Sequence, residues 1–462
     1  QPGNVTTQLT YTPNGQANGI IDARNNATTY TTDDFGNRIT QTSADTGTQT
    51  YAYDAAGNRI QQTDAEGQVT TYAYDAANRL IKEESTDGNT VLSYHASNGQ
   101  LKSIKDPIST ETFDYNPEGQ LTAQSRAIDG HRFTTGYAYH AQSQKLTQKT
   151  LPDGQTLNYH YYEDSKQKGH LRAITTPTFL GLTQKTLIGE IDHDKTNGTT
   201  SLTYGNGTKT VTRYDDAGRV IGIENTHALA LQYQYDEHGQ ITGIDLNGAL
   251  QTYQYDQLGR LIHADTLLGN YRYDYDAVGN RTEKQHTDQN GNTDTESYTY
   301  TEEGEGNRLL AVEKAVAGHT ESLAYNEAGS PTRARELSYE YNRQQRPVKV
   351  YKASDNKKHL IAEYAYNRFG ERIKKVVYSN SKQPKVTYYL YDGHSLTAEA
   401  NESGKITAQY LYFKNQPFTK LEGKRIYALH TDHLGTPRAA TDNSRRITVR
   451  LVRQKSKPKP SP

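Results

Sequence analysis

Aromatic and polar residues alternate along this chain in a pattern typical of β-strands. In the stretch Tyr51-Ala-Tyr53-Asp54-Ala-Ala-Gly57-Asn-Arg-Ile, the two tyrosines lie two residues apart, so in a strand both face the same side. Asp54 and Gly57 are residue types that favour a tight turn. The stretch therefore predicts a strand, a turn and the start of a second strand, and Asp64-Ala-Glu-Gly67 predicts a second turn before the next tyrosine pair.

The same unit returns at a nearly constant interval. Its glycine position falls at residues 36, 57, 78, 99 and 119, and in a second series at residues 218, 239, 259 and 279. Within each series the steps are 20 or 21 residues, and a fixed period of this size indicates a repeat architecture. The positions that define the repeat are Tyr51, Tyr53, Asp54, Gly57, Tyr72, Tyr74, Asp75, Tyr235, Asp236, Gly239, Tyr255, Asp256, Gly259, Tyr275, Asp276 and Gly279.

The turn residues have a conformational reason to recur. Asp54 is expected to accept hydrogen bonds from the backbone N–H groups just ahead of it, and Gly57 is expected to take a positive φ. In the third copy the glycine is replaced by Asn78, the non-glycine residue that best tolerates the left-handed region.

Composition favours a thin wall over a solid core. Apolar residues make up 33% of the 462 residues, with 37 Tyr, 7 Phe and no Trp or Met. The fold prediction is all-β: tandem hairpins coiled into a large, curved, hollow β-shell, which this chain alone need not complete. One array is predicted over residues 1–442, with regular units at 30–130 and 214–281 and degenerate units between and after them. The basic, proline-containing segment 443–462 is predicted to be a disordered tail, with a basic arm for an anionic partner as the weaker alternative.

Charge and composition exclude several classes. A formal net charge of −1 lacks the positive excess expected of a nucleic-acid-binding protein. No apolar run is long enough for a membrane span. The absence of cysteine excludes disulfides and thiol chemistry. Because the chain begins at Gln1 without a methionine or signal peptide, we interpret it as a processed product or a fragment.

The best candidate for a reactive cluster is His430, Asp432 and His433, which could ligate a transition metal. The spacing disfavours this, because residue 433 points away from residues 430 and 432 unless the chain turns. The favoured role is structural, with polar side chains pinning a turn that Gly435 and Pro437 complete. No metal and no cofactor is therefore expected.

The recurring aspartates and tyrosines each have a structural and a functional interpretation. The aspartates occupy the same repeat position, as expected of scaffolding and not of a glycosidase pair, so no enzymatic activity is predicted. The tyrosine rows either pack as cross-strand pairs, which we favour, or stack on sugar rings.

The Tyr-x-Tyr-Asp-x-x-Gly-x-Arg unit resembles the YD repeat of the Rhs family, which includes bacterial polymorphic toxins and the C subunits of insecticidal toxin complexes. A second string, Tyr427-Ala-Leu-His430-Thr-Asp432-His433-Leu-Gly435-Thr-Pro437-Arg438, resembles the start of the Rhs-associated core, so residues 427–442 are assigned to it.

The resemblance implies a hollow β-shell around a toxic C-terminal domain that self-cleavage releases. The chain stops about twenty residues after Asp442, so the cleavage region and toxin are expected to be missing and the protein to be truncated. The leading hypothesis is a shell segment of a secreted or surface-exposed toxin of interbacterial competition, which houses and delivers an effector polypeptide. The alternative is an adhesion module that binds cell-surface glycans.

Overall fold

The computed structural model describes residues 5–163, 167–178, 183–194, 198–354, 357–379 and 382–450. These residues form 41 β-strands and no helix. The prediction of an all-β fold built from tandem hairpins is confirmed.

The strands are β1 (Gln8–Tyr11), β2 (Ala17–Ile21), β3 (Ala27–Thr32), β4 (Arg38–Ser43), β5 (Gly47–Tyr53), β6 (Arg59–Thr63), β7 (Val69–Tyr74), β8 (Leu80–Ser85), β9 (Gly88–Tyr94), β10 (Leu101–Lys105), β11 (Ser109–Tyr115), β12 (Leu121–Ile128), β13 (His131–Tyr139), β14 (Leu146–Thr150), β15 (Thr156–Tyr161), β16 (Leu171–Pro177), β17 (Gln184–Asp194), β18 (Thr199–Tyr204), β19 (Lys209–Tyr214), β20 (Val220–Asn225), β21 (Ala230–Tyr235), β22 (Ile241–Leu246), β23 (Ala249–Tyr255), β24 (Leu261–Thr266), β25 (Gly269–Tyr275), β26 (Arg281–Thr287), β27 (Thr293–Tyr300), β28 (Leu309–Lys314), β29 (His319–Tyr325), β30 (Pro331–Ala334), β31 (Leu337–Tyr341), β32 (Pro347–Ser354), β33 (Lys357–Tyr366), β34 (Arg372–Ser379), β35 (Lys382–Asp392), β36 (Ser395–Asn401), β37 (Ile406–Phe413), β38 (Gln416–Glu422), β39 (Arg425–Thr431), β40 (Pro437–Thr441) and β41 (Ile447–Arg450).

Strands that follow one another in sequence pair antiparallel in four runs, because short turns can join only antiparallel strands. Consecutive pairs run from β1 to β10. A second run extends from β12 to β23. A third extends from β24 to β34, and a fourth from β35 to β41.

The repeat turn between β5 and β6 has the conformation that its residues predict. The Gly57 N–H donates to the Asp54 carbonyl at 3.0 Å, and the Asp54 N–H donates to the Asn58 carbonyl at 2.9 Å. Gly57 has a φ of 82° and Asn78, its counterpart in the next unit, has a φ of 57°. The register shifts between Ala52 and Tyr53, as in a hairpin closed by a type I turn and a bulge.

The chain divides into two compact units. Unit 1 comprises Gln1–Glu111 with Gln254–Val386, and unit 2 comprises Thr112–Tyr253 with Thr387–Pro462. Although the composition predicts no thick core, unit 2 contains a cluster of buried apolar residues drawn from both of its segments. Its members are Leu151, Leu157, Ile174, Leu187, Ile188, Ile191, Tyr204, Leu411, Phe418, Leu421 and Ala428.

The start of the segment that was predicted to be a disordered tail is ordered, which corrects that prediction. Residues 447–450 form strand β41, in which Ile447 pairs with Thr441 and Val449 pairs with Ala440. Residues 443–450 therefore continue the array, because backbone pairing with β40 does not depend on the basic side chains. The remainder of the predicted tail, 451–462, lies outside the described residues.

Candidate functional site

Each repeat aspartate accepts hydrogen bonds from backbone N–H groups of the turn in which it lies. Asp54 Oδ1 accepts from the backbone N–H groups of Ala56 and Asn58 at 2.9 and 2.8 Å, and its Oδ2 accepts from Asn58 Nδ2 at 3.0 Å. Asp75 accepts in the same way from residues 77 and 79, with its Oδ2 bound to Arg79 Nε at 2.8 Å. Asp236, Asp256 and Asp276 repeat the backbone contacts.

This engagement changes the electrostatics of the carboxylates. Hydrogen bonding from the Asn58 side chain lowers the pKa of Asp54, and hydrogen bonding from Arg79 lowers the pKa of Asp75. Each of these carboxylates thus accepts at least two hydrogen bonds from donors of its own turn. The geometry agrees with the scaffolding interpretation of these residues.

In several units the second tyrosine of the pair makes a recurring hydrogen bond that the sequence analysis missed. Its hydroxyl donates to the backbone carbonyl at the start of a strand in the preceding hairpin. Tyr53 donates to Arg38 at 3.0 Å, Tyr74 to Arg59 at 3.0 Å, Tyr235 to Val220 at 2.7 Å and Tyr275 to Leu261 at 2.7 Å. The hydroxyl thus ties each repeat to the one before it.

Arginines of the unit lie over the tyrosine rings. The Arg59 guanidinium is 5.8 Å from the Tyr51 ring centroid and 4.9 Å from that of Tyr72. Arg219 lies 4.8 Å from Tyr235, and Arg260 lies 5.0 Å from Tyr275. These cation–π contacts occupy ring faces and favour the packing interpretation of the tyrosine rows.

In the core motif, Asp432 pins the turn between β39 and β40, as the sequence analysis favoured. Its Oδ1 accepts from the N–H groups of Leu434 and Thr436 at 3.0 and 2.9 Å. Its Oδ2 pairs with Arg438 Nε and Nη2, each at 2.7 Å. Gly435 takes a φ of 78°, and Pro437 begins β40.

The two histidines of the motif face different partners. His430 is 1% exposed, its Nε2 lies 2.9 Å from Thr441 Oγ1, and its ring meets the Tyr204 ring edge-on at 5.0 Å. His433 packs instead on the Tyr233 ring at 4.6 Å. Burial lowers the pKa of His430 to about 4 and also lowers the pKa of His433. Burial therefore favours the neutral form of both rings, which pack against different tyrosines and do not converge with Asp432 on one point.

The residues that hydrogen-bond to the motif could not be identified from the sequence, because they lie more than two hundred positions earlier in the chain. In unit 2, the Tyr204 hydroxyl donates to the Leu429 carbonyl at 2.8 Å, and Asn206 Nδ2 donates to Thr441 Oγ1 at 3.0 Å. The only local signal was the Asn206-Gly207 pair, which predicts a turn but not its partner.

In unit 1, a second polar network joins distant turns. Asn307 Nδ2 donates to Asp22 Oδ2 at 2.8 Å, and Asn307 Oδ1 accepts from Arg24 Nη1 and Asn26 Nδ2, each at 3.1 Å. Arg308 Nη2 donates to the Asp45 carbonyl at 2.6 Å. The sequence signal was the loop Thr301–Arg308, whose two glycines interrupt the regular period.

Among the described residues, no group of three or more His, Cys, Asp or Glu is arranged to hold a metal ion. No helix long and apolar enough to cross a membrane is found in the described part of the chain.

Comparison with known proteins identifies the repeat and the fold. The RHS Repeat family matches residues 33–67 and 53–90. No curated protein matches the chain by sequence. The chain is similar to the Photorhabdus luminescens Tc holotoxin pore carrying the TccC3-D651A mutation, with 18% identity and a TM-score of 0.79 over 96% of this chain and 25% of that chain.

Two further solved structures match comparably. TcdB2-TccC3 is 17% identical with a TM-score of 0.80, and TcdB2-TccC3-Cdc42 is 16% identical with a TM-score of 0.79; each match covers 96% of this chain and 26% of the other. The chain thus spans about a quarter of the length of the chains it matches. Residues 33–90 thus contain RHS repeats, and the chain has the fold of the matched part of these Tc toxin structures.

Proposed function

We propose that this RHS-repeat chain is a segment of the wall of a secreted, Tc-type toxin shell and that the wall houses an effector polypeptide for delivery. The observation that carries the proposal is the fold match to Tc toxin structures over 96% of the chain at a TM-score of 0.79. The role is non-catalytic, since the repeat carboxylates and the core-motif side chains are engaged in turns and packing.

Contacts within each unit support a wall that winds back on itself. In unit 1, hydrogen bonds join Asp22 to Asn307, 285 residues later, and Glu83 to Arg343, 260 residues later. In unit 2, Asp129 binds Tyr388, 259 residues later. Contacts at similar sequence separations are expected at several places when one turn of a coiled array lies against the next turn.

Protease protection tests the housing role. An unstructured reporter polypeptide rich in trypsin sites is appended after Pro462, and its digestion is compared with that of the same reporter on an ordinary compact domain. We expect the reporter on this chain to survive at protease concentrations that remove the control reporter while the array stays intact. Equal rates of digestion would count against housing by this segment.

The alternative hypothesis, binding of cell-surface glycans, rests on exposed tyrosine faces. Many of these rings are already engaged by hydroxyl hydrogen bonds and arginine contacts. Glycan binding therefore ranks second to the shell-wall proposal. A glycan array screen tests it, and saturable binding of one defined glycan class would move the assignment from shell wall to adhesion module.

A further inference from the structure

The two units differ in how much hydrophobic surface they bury. Of the 34 buried hydrophobic residues in the described part of the chain, six belong to unit 1 and 28 to unit 2, although unit 1 is the longer of the two. The six in unit 1 are Leu92, Ile104, Ala264, Val350, Ala362 and Ile373. Because burial of hydrophobic side chains is the dominant favourable contribution to folding, unit 1 has much less of it to hold its segments together.

We call the contact between the two segments of unit 1, Gln1–Glu111 and Gln254–Val386, the seam of unit 1. One end of the seam joins the β2–β3 turn to the loop between β27 and β28 through the polar network around Asn307. The backbone contributes to it as well, because the Gly306 N–H donates to Asn26 Oδ1 at 2.7 Å and the Gly304 N–H donates to the Arg24 carbonyl at 2.9 Å. The segments of unit 2, by contrast, meet in the apolar cluster already described.

The other end of the seam joins the β8–β9 hairpin to the turns that follow β31 and β33. Glu83 Oε1 accepts from Arg343 Nη2 at 2.7 Å, and Asp87 Oδ2 accepts from the Arg343 backbone N–H at 2.8 Å. The Nε–H groups of Arg343 and Arg368 are buried without a hydrogen-bond partner among the described residues. A buried unpaired donor is unfavourable, so opening the seam to water removes a cost that the closed seam carries.

Two cavities lie between the same two segments. One has a volume of about 540 Å³ and is lined by Val5 from the first segment and Val278 from the second. The other has a volume of about 300 Å³ and is lined by Ile108 from the first segment and Tyr364 from the second. Side chains that face a cavity lack the dispersion contacts of a packed neighbour. The seam is therefore loosely packed as well as polar.

We propose that the seam of unit 1 is the part of the fold that opens: its two segments separate there, each keeping its own hairpins, while unit 2 stays folded. Opening replaces protein hydrogen bonds with hydrogen bonds to water, and each such exchange costs little. Separating the segments of unit 2 would instead expose its apolar cluster. The opening does not depend on the shell role. That it gives an enclosed polypeptide a way through the wall is a consequence that rests on the proposed function.

Hydrogen exchange of the full chain at pH 7, read by mass spectrometry at single amides, tests the opening. The reporters are the backbone N–H groups of Gly304, Gly306 and Arg343, because each donates across the seam. The references are two N–H groups of the unit 2 cluster. Leu151 donates to the Gln155 carbonyl and Tyr204 to the Thr208 carbonyl, each at 2.8 Å.

In the wild type we expect protection factors of the reporters to be at least tenfold lower than those of the references. Their exchange should depend only weakly on urea, because seam opening exposes little apolar surface. Reporters as protected as the references, or with the steep urea dependence of global unfolding, would overturn the proposal.

The variant Asn307→Ala tests whether the seam opens as one unit. It should lower the protection of all three reporters roughly tenfold, including Arg343 at the other end of the seam, and leave the references unchanged. The control is Asn292→Ala, at an exposed turn residue whose side-chain amide donates within its own turn, to Asp288 Oδ2 at 3.1 Å; it should change none of them. Faster exchange at Gly304 and Gly306 without a change at Arg343 would show separate loosening of contacts and overturn the proposal. If Asn307→Ala does not fold, the wild-type comparison decides.

Discussion

The buried histidine of the core motif should make the stability of unit 2 depend on pH. His430 is 1% exposed and its Nδ1 atom is buried without a hydrogen-bond partner among the described residues. Burial lowers its pKa from the ordinary 6.5 to about 4. The neighbouring Tyr204 does not titrate in this range, because burial raises its pKa to about 12.

The sign and size of the effect follow from linkage. Between pH 6.5 and 4 the unfolded chain binds a proton at His430 that the folded chain excludes, so stability falls as pH falls. At about 1.4 kcal/mol per pKa unit, the full loss is roughly 3 kcal/mol, of which about 2 kcal/mol appears between pH 7 and pH 5. A non-titrating residue at this position removes that component whatever its own effect on stability.

The assay is urea unfolding followed by tyrosine fluorescence at pH 7 and pH 5. We expect the wild type to lose about 2 kcal/mol more than His430→Gln between the two pH values. The control, His238→Gln, changes an exposed turn residue and should keep the pH dependence of the wild type. If His430→Gln has the same pH dependence as the wild type, His430 is not held neutral by burial and the reasoning fails.

Three further substitutions test the repeat and the motif by the same unfolding assay at pH 7. Tyr235→Phe deletes the hydroxyl hydrogen bond to the preceding hairpin and should cost about 1 kcal/mol, while Tyr11→Phe, at a tyrosine 57% exposed, should cost almost nothing. Gly57→Ala meets no atom within 4 Å, so its cost of about 1–2 kcal/mol comes from the positive φ alone, and Gly57→Asn should cost less. Asp432→Ala leaves two backbone N–H groups and Arg438 without their acceptor and should cost about 3 kcal/mol or more.

Each of these predictions can fail separately. Equal effects of Tyr235→Phe and Tyr11→Phe would show that the hydroxyl bond does not stabilise the array. An Ala at position 57 as stable as the wild type would mean that the turn does not require the left-handed conformation. Full stability of Asp432→Ala would remove the structural role assigned to the core motif.

Local features of the repeat could be predicted because their causes lie within a few residues. Asp54 and Gly57 close a turn with groups no more than four positions away, so the residue types alone indicate the conformation. Antiparallel pairing of neighbouring strands follows from the short turns. For the same reason Asp432 could be assigned to a turn from its neighbours Gly435 and Pro437.

Contacts between distant segments could not be predicted, because a repeated sequence does not tell which copies meet. Nothing near His430 identifies Tyr204 as its partner, and nothing near Arg343 identifies Glu83. Residues 447–450 differ from the prediction for another reason: basic residues dominate the composition of 443–462, but Ile447 and Val449 lie in a strand. Charge density indicates solvation of side chains, but it does not prevent a backbone from pairing with an available strand.

Small-angle X-ray scattering tests the central proposal, that the repeats form a curved, hollow wall. A compact solid protein of this length should have a radius of gyration of ~23 Å, and an unfolded chain ~80 Å. The account predicts a value modestly above the compact figure, with a pair-distance distribution weighted toward long distances. A radius near 23 Å with the profile of a solid globule would contradict the hollow wall, and with it the proposal that this chain houses an effector.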